Sequence, residues 1–543
     1  MCGGTPPSIS SSCGTRFPDN VNIRKALPTT GIFVALGGIL LFHYISLLDY
    51  PVPSCDEAFY GRTASKFYDA AIVGQRWPPA DALVYMFHGR GYWLLLGIAF
   101  SLLGTTLFAA RMVSFVGLMV LVLATFLVGK MYVNRNVGLW SAGLVGAAWL
   151  SLYSGHLARP DMLAAAVGAI SVVWVKYVSE NPRWWRFLFL GMLLLLQLEI
   201  HPLPVHLVLP ILLMVTGYVF RNKLWNPLGA TVLGMLMAGV IVLLGRYGTE
   251  TMVFLRGLSG EDDLLVEFMR GSSSTVGGSW LDWVGNFLRF WWGSYAWLAP
   301  VASIPQALFF LVGLLYAYAR KHAGLRELAF LVVISSVSFA LINSTHLWLG
   351  YSLLWLPYYT VMGVAAVTGL SRRPRWSWPN RNIGTVVLAL CGLLYLVGDV
   401  RLVTGNRTKT EEAYYAEASQ LLAGIPAGAR VLAKQYWWYA MRDKVTFVDE
   451  NLIAPRGSLA WWIGVPDGMG VSRPEVDLSV QVREQFEEEL RPDFVVLDGV
   501  LGCFDVREAK FDAFLDVVQA RCELKRQINS DLYRPQQVYQ CAS

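Results

Sequence analysis

The chain has 543 residues, of which 55% are hydrophobic and only 15% charged, with a formal net charge of +6. A mean hydropathy of +0.46 is too apolar for a soluble multidomain protein. It gives the fold class expected here: an α-helical polytopic membrane protein with a small soluble α/β domain at its C-terminal end. The basic residues cluster in short loops between apolar runs, which membrane topology explains and nucleic-acid binding does not.

Residues 1–27 are rich in Ser, Gly and Pro and read as a disordered cytoplasmic N-terminus, too polar for a cleaved signal peptide. The first span is expected near 31–48, entered from the cytosol because Arg24 and Lys25 precede it. A first outer loop follows, 49–107. The apolar run 92–104 within it is shorter than the roughly 20 residues a span needs. If it crossed the membrane, the Lys130 to Arg135 cluster would lie outside and Asp161 would be opposite Asp56. If it instead lies on the membrane surface as an interfacial helix, every basic cluster between spans falls in the cytosol.

The second arrangement is preferred. It predicts further spans at 108–131, 137–153, 162–178, 187–199, 203–220 and 228–244, then 301–319, 328–342, 349–370 and 383–400. The total is 11, or up to 13 because short and tilted helices blur the count. The membrane domain would occupy 28–402 and an outer domain 403–543. In the latter, 431–433 and 494–497 read as buried strands, 482–490 and 510–520 as helices, and 531–541 as a final strand.

The seven cysteines show no zinc spacing, and Cys2 and Cys13 form no lipidation signal. If the C-terminal part lies outside the cytosol, Cys522 and Cys541 are the candidate disulfide, leaving Cys503 over.

Under this topology Asp56, Glu57, Arg62, Lys66, Arg90, Arg159, Asp161, His201 and His346 gather on one side of the membrane. Ionised groups at a membrane edge are costly unless they face water or a partner. Carboxylates mixed with cations beside lipid suit an anionic, lipid-linked substrate such as a polyprenyl-phosphate sugar. A carboxylate can take a proton from an acceptor hydroxyl, and a cation can stabilise the departing phosphate. Structural alternatives stand beside each residue. Asp56 and Glu57 are suited to cap the helix that follows. Arg159-Pro160-Asp161 can be a turn with a local ion pair. The histidines can be helix-end residues, and Arg62 with Lys66, four apart, can attract lipid headgroups. No cofactor is required by the sequence. A divalent metal is compatible with so many carboxylates, but no ligand spacing demands one.

The runs Asp56-Glu57-Ala58-Phe59-Tyr60, Tyr92-Trp93-Leu94-Leu95-Leu96-Gly97, Phe108-Ala109-Ala110-Arg111-Met112-Val113-Ser114, Val137-Gly138-Leu139 and Ala158-Arg159-Pro160-Asp161-Met162-Leu163 carry a resemblance over roughly residues 31–220. They resemble the bacterial members of the dolichyl-phosphate-mannose–protein mannosyltransferase superfamily. That group includes the lipid A aminoarabinose transferase and belongs to the GT-C glycosyltransferases. The resemblance implies a polyprenyl-monophosphate sugar donor and inversion at the anomeric carbon. It implies Asp56 as catalytic base, Asp161 as a second essential carboxylate, and 92–104 as one of two helices lying on the membrane. His201-Pro202 matches a His-Pro at the outer end of a later helix in that group. Relatives commonly carry Lys-Pro-Pro or His-Pro-Pro before the Tyr-Trp run, where this chain has His88-Gly89-Arg90-Gly91.

The expected function is therefore a glycosyltransferase of the cell envelope, in a bacterial inner membrane, with its site on the extracytoplasmic side. The acceptor would be a lipid, glycan or protein. Expected catalytic residues are Asp56 and Asp161. Expected substrate contacts are Glu57, Tyr60, Arg62, Lys66, His88, Arg90, Arg159, His201 and His346. The alternative from another class is a transporter or flippase of lipid-linked sugars. That would place polar groups at mid-membrane and often shows internal repeats, neither of which is seen in the sequence.

Overall fold

The structure, a computed structural model, describes residues 29–72, 90–201, 203–223, 225–244, 300–342, 349–370, 383–406, 410–449, 478–498, 508–530 and 532–542. His88 and His346 lie outside these residues. Each of the eleven apolar runs expected to span is occupied by helix. In chain order the elements begin with α1 (Thr29–Ile45), α2 (Cys55–Ile72), α3 (Arg90–Leu103), α4 (Leu107–Tyr132), α5 (Arg135–Gly146), α6 (Trp149–Gly155) and α7 (Asp161–Glu180). They continue with α8 (Trp184–Leu196), α9 (Val205–Asn222), α10 (Asn226–Leu244), α11 (Pro300–Ala319), α12 (Ala323–Ile342), α13 (Leu356–Leu370) and α14 (Ile383–Gly405).

Four of these, α4, α7, α9 and α14, are long and apolar enough to cross a membrane by themselves. Along α14, Val386, Leu390 and Leu393 are all more than half exposed, as a helix facing lipid requires. The chain is a membrane protein. Helix α3 has 14 residues, about 21 Å at 1.5 Å per residue, well short of a bilayer core. It buries Tyr92, Trp93, Leu96 and Phe100 and exposes Leu94, Leu95 and Ile98, the two-faced pattern of a helix lying along a membrane surface.

Local chemistry sets the helix ends around the site. Thr106 caps α4 by accepting from the Ala109 amide, and Asn134 caps α5 by accepting from the Val137 amide. One expectation fails here. The run 137–153 is not one straight span but two helices, α5 and α6, bent by 59°. His43 of α1 explains the break. Its Nε2 lies 2.8 Å from the Gly146 carbonyl, which a continued helix would have given to its own ladder. The bend carries the chain through His156 into the 157–160 segment, from which α7 starts. Elsewhere the bundle closes on small residues. A side chain at Gly191 would meet the Thr231 carbonyl and one at Gly234 the Leu188 carbonyl, so α8 and α10 touch backbone to backbone.

The C-terminal domain opens with α15 (Glu411–Leu422) and holds a five-stranded mixed sheet, in the order β2-β1-β3-β5-β4. Its strands are β1 (Arg430–Ala433), β2 (Thr446–Asp449), β3 (Phe494–Leu497), β4 (Cys522–Ile528) and β5 (Gln536–Cys541). Strands β1, β2 and β3 run parallel, while β5 is antiparallel to both β3 and β4. Among the described residues it also holds α16 (Trp438–Met441), α17 (Leu478–Glu484) and α18 (Glu508–Arg521). Strands β2 and β4 add to those expected from sequence. Cys522 and Cys541 are register partners on β4 and β5 and form a disulfide.

Three apolar cores follow. One fills the helix bundle. One lies between α17, α18 and the sheet. The core that matters for the site is shared: Ala58, Tyr60, Tyr92 and Trp93 of the first loop pack with Tyr414, Val431, Trp437 and Tyr439 of the C-terminal domain.

Candidate active site

Helix α2 begins at Cys55, so Asp56 and Glu57 occupy its first turn, where carboxylates are favoured by the helix dipole. Adjacent positions on a helix point apart, and here they meet different arginines. The Glu57 carboxylate turns inward. Arg111 grips it through Nε to Oε1 at 2.9 Å and Nη2 to Oε2 at 3.0 Å. The Ala158 amide donates to Oε1 at 2.9 Å and the Ser54 amide to Oε2 at 3.0 Å. Arg111 also donates to the carbonyls of Leu47 and Pro51, at 2.9 and 2.8 Å. Both side chains are 0% exposed. An isolated charge could not be held there; a bidentate pair whose carboxylate oxygens each accept a second hydrogen bond from a backbone amide can. Glu57 thus fastens α2, α4 and the 157–160 segment to one another. Glu57 was expected as a substrate contact; in the structure its oxygens are engaged by Arg111 and two backbone amides.

Asp56 turns the other way. Its Oδ2 accepts from Nη1 of Arg159, whose Nε donates to Asp161 Oδ2 at 2.8 Å. One guanidinium thus bridges the two aspartates. The Arg159 carbonyl is held by the Ser114 hydroxyl at 3.2 Å. The Asp56 side chain is 22% exposed, whereas that of Asp161 is 2% exposed. Asp56 is therefore the carboxylate a substrate can reach, with Asp161 packed beneath the bridge. Asp161 Oδ1 has no hydrogen-bond partner among the described residues, and His201 Nε2 faces it from 3.9 Å. The Leu203 amide donates to His201 Nδ1 at 3.1 Å, so the neutral ring carries its proton on Nε2, toward Asp161.

Four of the residues singled out from sequence, Asp56, Arg159, Asp161 and His201, are brought together in this network. Tyr60 is buried edge-on against Tyr92, with ring centroids 5.5 Å apart. Expected as a substrate contact, it packs in the shared core. Burial pushes its phenol well above the ordinary value, with the nearby Asp161 charge adding to the rise. Arg62 and Lys66 lie further along α2, Arg62 partly buried, and Arg90 begins α3. Arg111 was not among the candidates. Its signal was present, since an arginine inside the apolar run 107–132 demands a buried partner. A disulfide also engages Cys55, one residue before Asp56, with a partner outside the described residues. Among the described residues, no group of three or more His, Cys, Asp or Glu side chains is placed to hold a metal ion.

No protein-family profile matches the chain, and no curated protein matches it in sequence. Solved structures do match in shape. ArnT from Cupriavidus metallidurans bound to undecaprenyl phosphate superposes with a TM-score of 0.61 at 14% identity, over 94% of this chain and 98% of that one. The same protein in its apo state gives 0.57 at 13% identity, with the same coverage. The Archaeoglobus fulgidus oligosaccharyltransferase tethered with an acceptor peptide gives 0.50 at 11% identity, over 94% of this chain and 74% of that one. At such identities the likeness is one of architecture, and the architecture of this chain is the GT-C fold.

Proposed function

We propose that the chain is a membrane glycosyltransferase. It moves a sugar from a polyprenyl-monophosphate donor to a hydroxyl-bearing lipid, glycan or protein acceptor, with inversion and on the extracytoplasmic face of a bacterial inner membrane. The observation that carries this reading is the Arg159 bridge, which leaves Asp56 partly open beside a buried second carboxylate. Asp56 accepts the acceptor's hydroxyl proton as that oxygen attacks the anomeric carbon. The carbon–oxygen bond to phosphate breaks, and its electron pair leaves with the polyprenyl phosphate. Arg159, shared between two carboxylates, holds Asp56 in place. Arg62, Lys66 and Arg90 are assigned to the phosphate, and the polyprenyl chain lies along the bilayer.

Two further facts support the reading. The ArnT structure that this fold resembles holds undecaprenyl phosphate, a polyprenyl phosphate of the class proposed. The disulfides at Cys522–Cys541 and at Cys55 belong to an oxidising compartment, outside the cytosol. The test is mass spectrometry of envelope glycoconjugates in cells lacking the chain and complemented with wild type or Asp56→Asn. The reading requires a glycan that vanishes on deletion and returns only with wild type. Equal restoration by both forms would remove Asp56 as base.

A further inference from the structure

We propose that the C-terminal domain sets the position of Asp56 through two tyrosine hydroxyls, Tyr533 and Tyr439, that hold the backbone on either side of it. The proposal rests on the reading of Asp56 as base and names the parts that aim it. The Tyr533 hydroxyl donates to the Pro53 carbonyl at 2.8 Å, and the Tyr439 hydroxyl donates to the Glu57 carbonyl at 3.0 Å. Pro53 lies just ahead of α2 and Glu57 in its first turn, so the two bonds bracket the reactive residue. They span sequence separations of 480 and 382 residues.

The second bond depends on a small residue. In a helix the Glu57 carbonyl faces the amide of Gly61. A Cβ at Gly61 would collide with the Tyr439 hydroxyl and come within 2.7 Å of its Cζ and 3.1 Å of Trp438 Cζ3. The bare glycine is what lets the phenol reach a carbonyl the helix already uses. The rings behind the hydroxyls are fixed as well. Tyr533 stacks on Tyr436 at 4.0 Å and 14°, and Tyr439 meets Trp438 edge-on at 4.9 Å. Burial pushes both phenols well above their ordinary range, so each keeps the proton it donates.

Apolar packing alone would be enough to dock the domain on the first loop. Two hydroxyls fixed on the carbonyls flanking Asp56 do something packing cannot, which is to define where the carboxylate stands. A base must sit within hydrogen-bond reach of the proton it takes, and a displacement of about 1 Å costs on the order of a hundredfold in rate. Tyr439 and Tyr533 are thus positioning residues that act through the backbone.

The test uses the full chain with Tyr439→Phe, Tyr533→Phe and the double variant, which remove oxygens and keep the rings. Each single variant is expected to lower kcat about tenfold and the double variant about a hundredfold, with donor KM within about twofold. Amide hydrogen exchange over residues 53–60 should quicken in the double variant, with its thermal midpoint little changed. Wild-type kcat in the folded double variant, or a loss confined to KM, overturns the proposal. So does unchanged exchange over 53–60. If the double variant fails to fold, the two single variants carry the same comparison. A wild-type protein that transfers no sugar from a polyprenyl-phosphate donor would strike the reading of Asp56 instead, and the exchange measurement would still decide the tether.

Discussion

Two arginine–carboxylate systems lie side by side at the head of α2, and they are built differently. Arg111 and Glu57 are sealed, 0% exposed on both sides, with the carboxylate engaged by the guanidinium and two backbone amides. Arg159 is stretched between two carboxylates, one of them 22% exposed and the other keeping a buried oxygen without a hydrogen bond among the described residues. A pair engaged at both carboxylate oxygens holds structure together, because any lost partner leaves a bare buried charge. A bridge with spare capacity leaves an acceptor for something that arrives. Neighbouring residues of the same charge thus take opposite roles because a helix turns them about 100° apart.

The difference can be broken from either side. The largest effect is expected at the sealed pair. Glu57→Gln should destabilise the fold by about 3–5 kcal/mol, read as a lower unfolding midpoint in detergent. The double variant Glu57→Leu, Arg111→Met should recover much of that loss, because no unpaired charge remains. If Glu57→Gln unfolds like wild type and loses only activity, the two systems are not distinct. At the open bridge, Arg159→Lys should keep the unfolding midpoint but lower kcat about a hundredfold. One ammonium cannot reproduce the fork that meets both aspartates. The smallest effect is expected at His201, whose ring faces Asp161 across 3.9 Å. His201→Gln should cost less than about fivefold in kcat, the scale of a weak polar contact. A loss on the scale of Arg159→Lys would make His201 part of the bridge itself.

Much of this was legible in the sequence, and what was not has physical reasons. The apolar runs marked the helices, because lipid leaves the backbone no other way to satisfy its hydrogen bonds. The shortness of 92–104 marked a helix below the length that crosses a bilayer by itself. Asp56, Arg159 and Asp161 stood out as charges at the ends of apolar runs. The bend at 147–148 was hidden, since it depends on His43 of another helix taking the Gly146 carbonyl. The partnership of Glu57 with Arg111 crosses 54 residues, and local spacing could show only that Arg111 needed some partner. Strand β4, Cys-Glu-Leu-Lys-Arg-Gln-Ile, carries no fully buried residue, and so little apolar pattern to find. Tyr439 and Tyr533 gave no signal, because only the folded chain brings them to α2.

In the proposed reaction Asp56 is the base. The most direct test of that role compares purified wild type and Asp56→Asn with a polyprenyl-phosphate sugar and an acceptor in detergent, measuring turnover and polyprenyl-phosphate affinity together. Asp56→Asn is expected to fold, to bind polyprenyl phosphate within about twofold of wild type, and to lose on the order of a thousandfold in kcat. Turnover near the wild-type rate in a folded Asp56→Asn protein would contradict it.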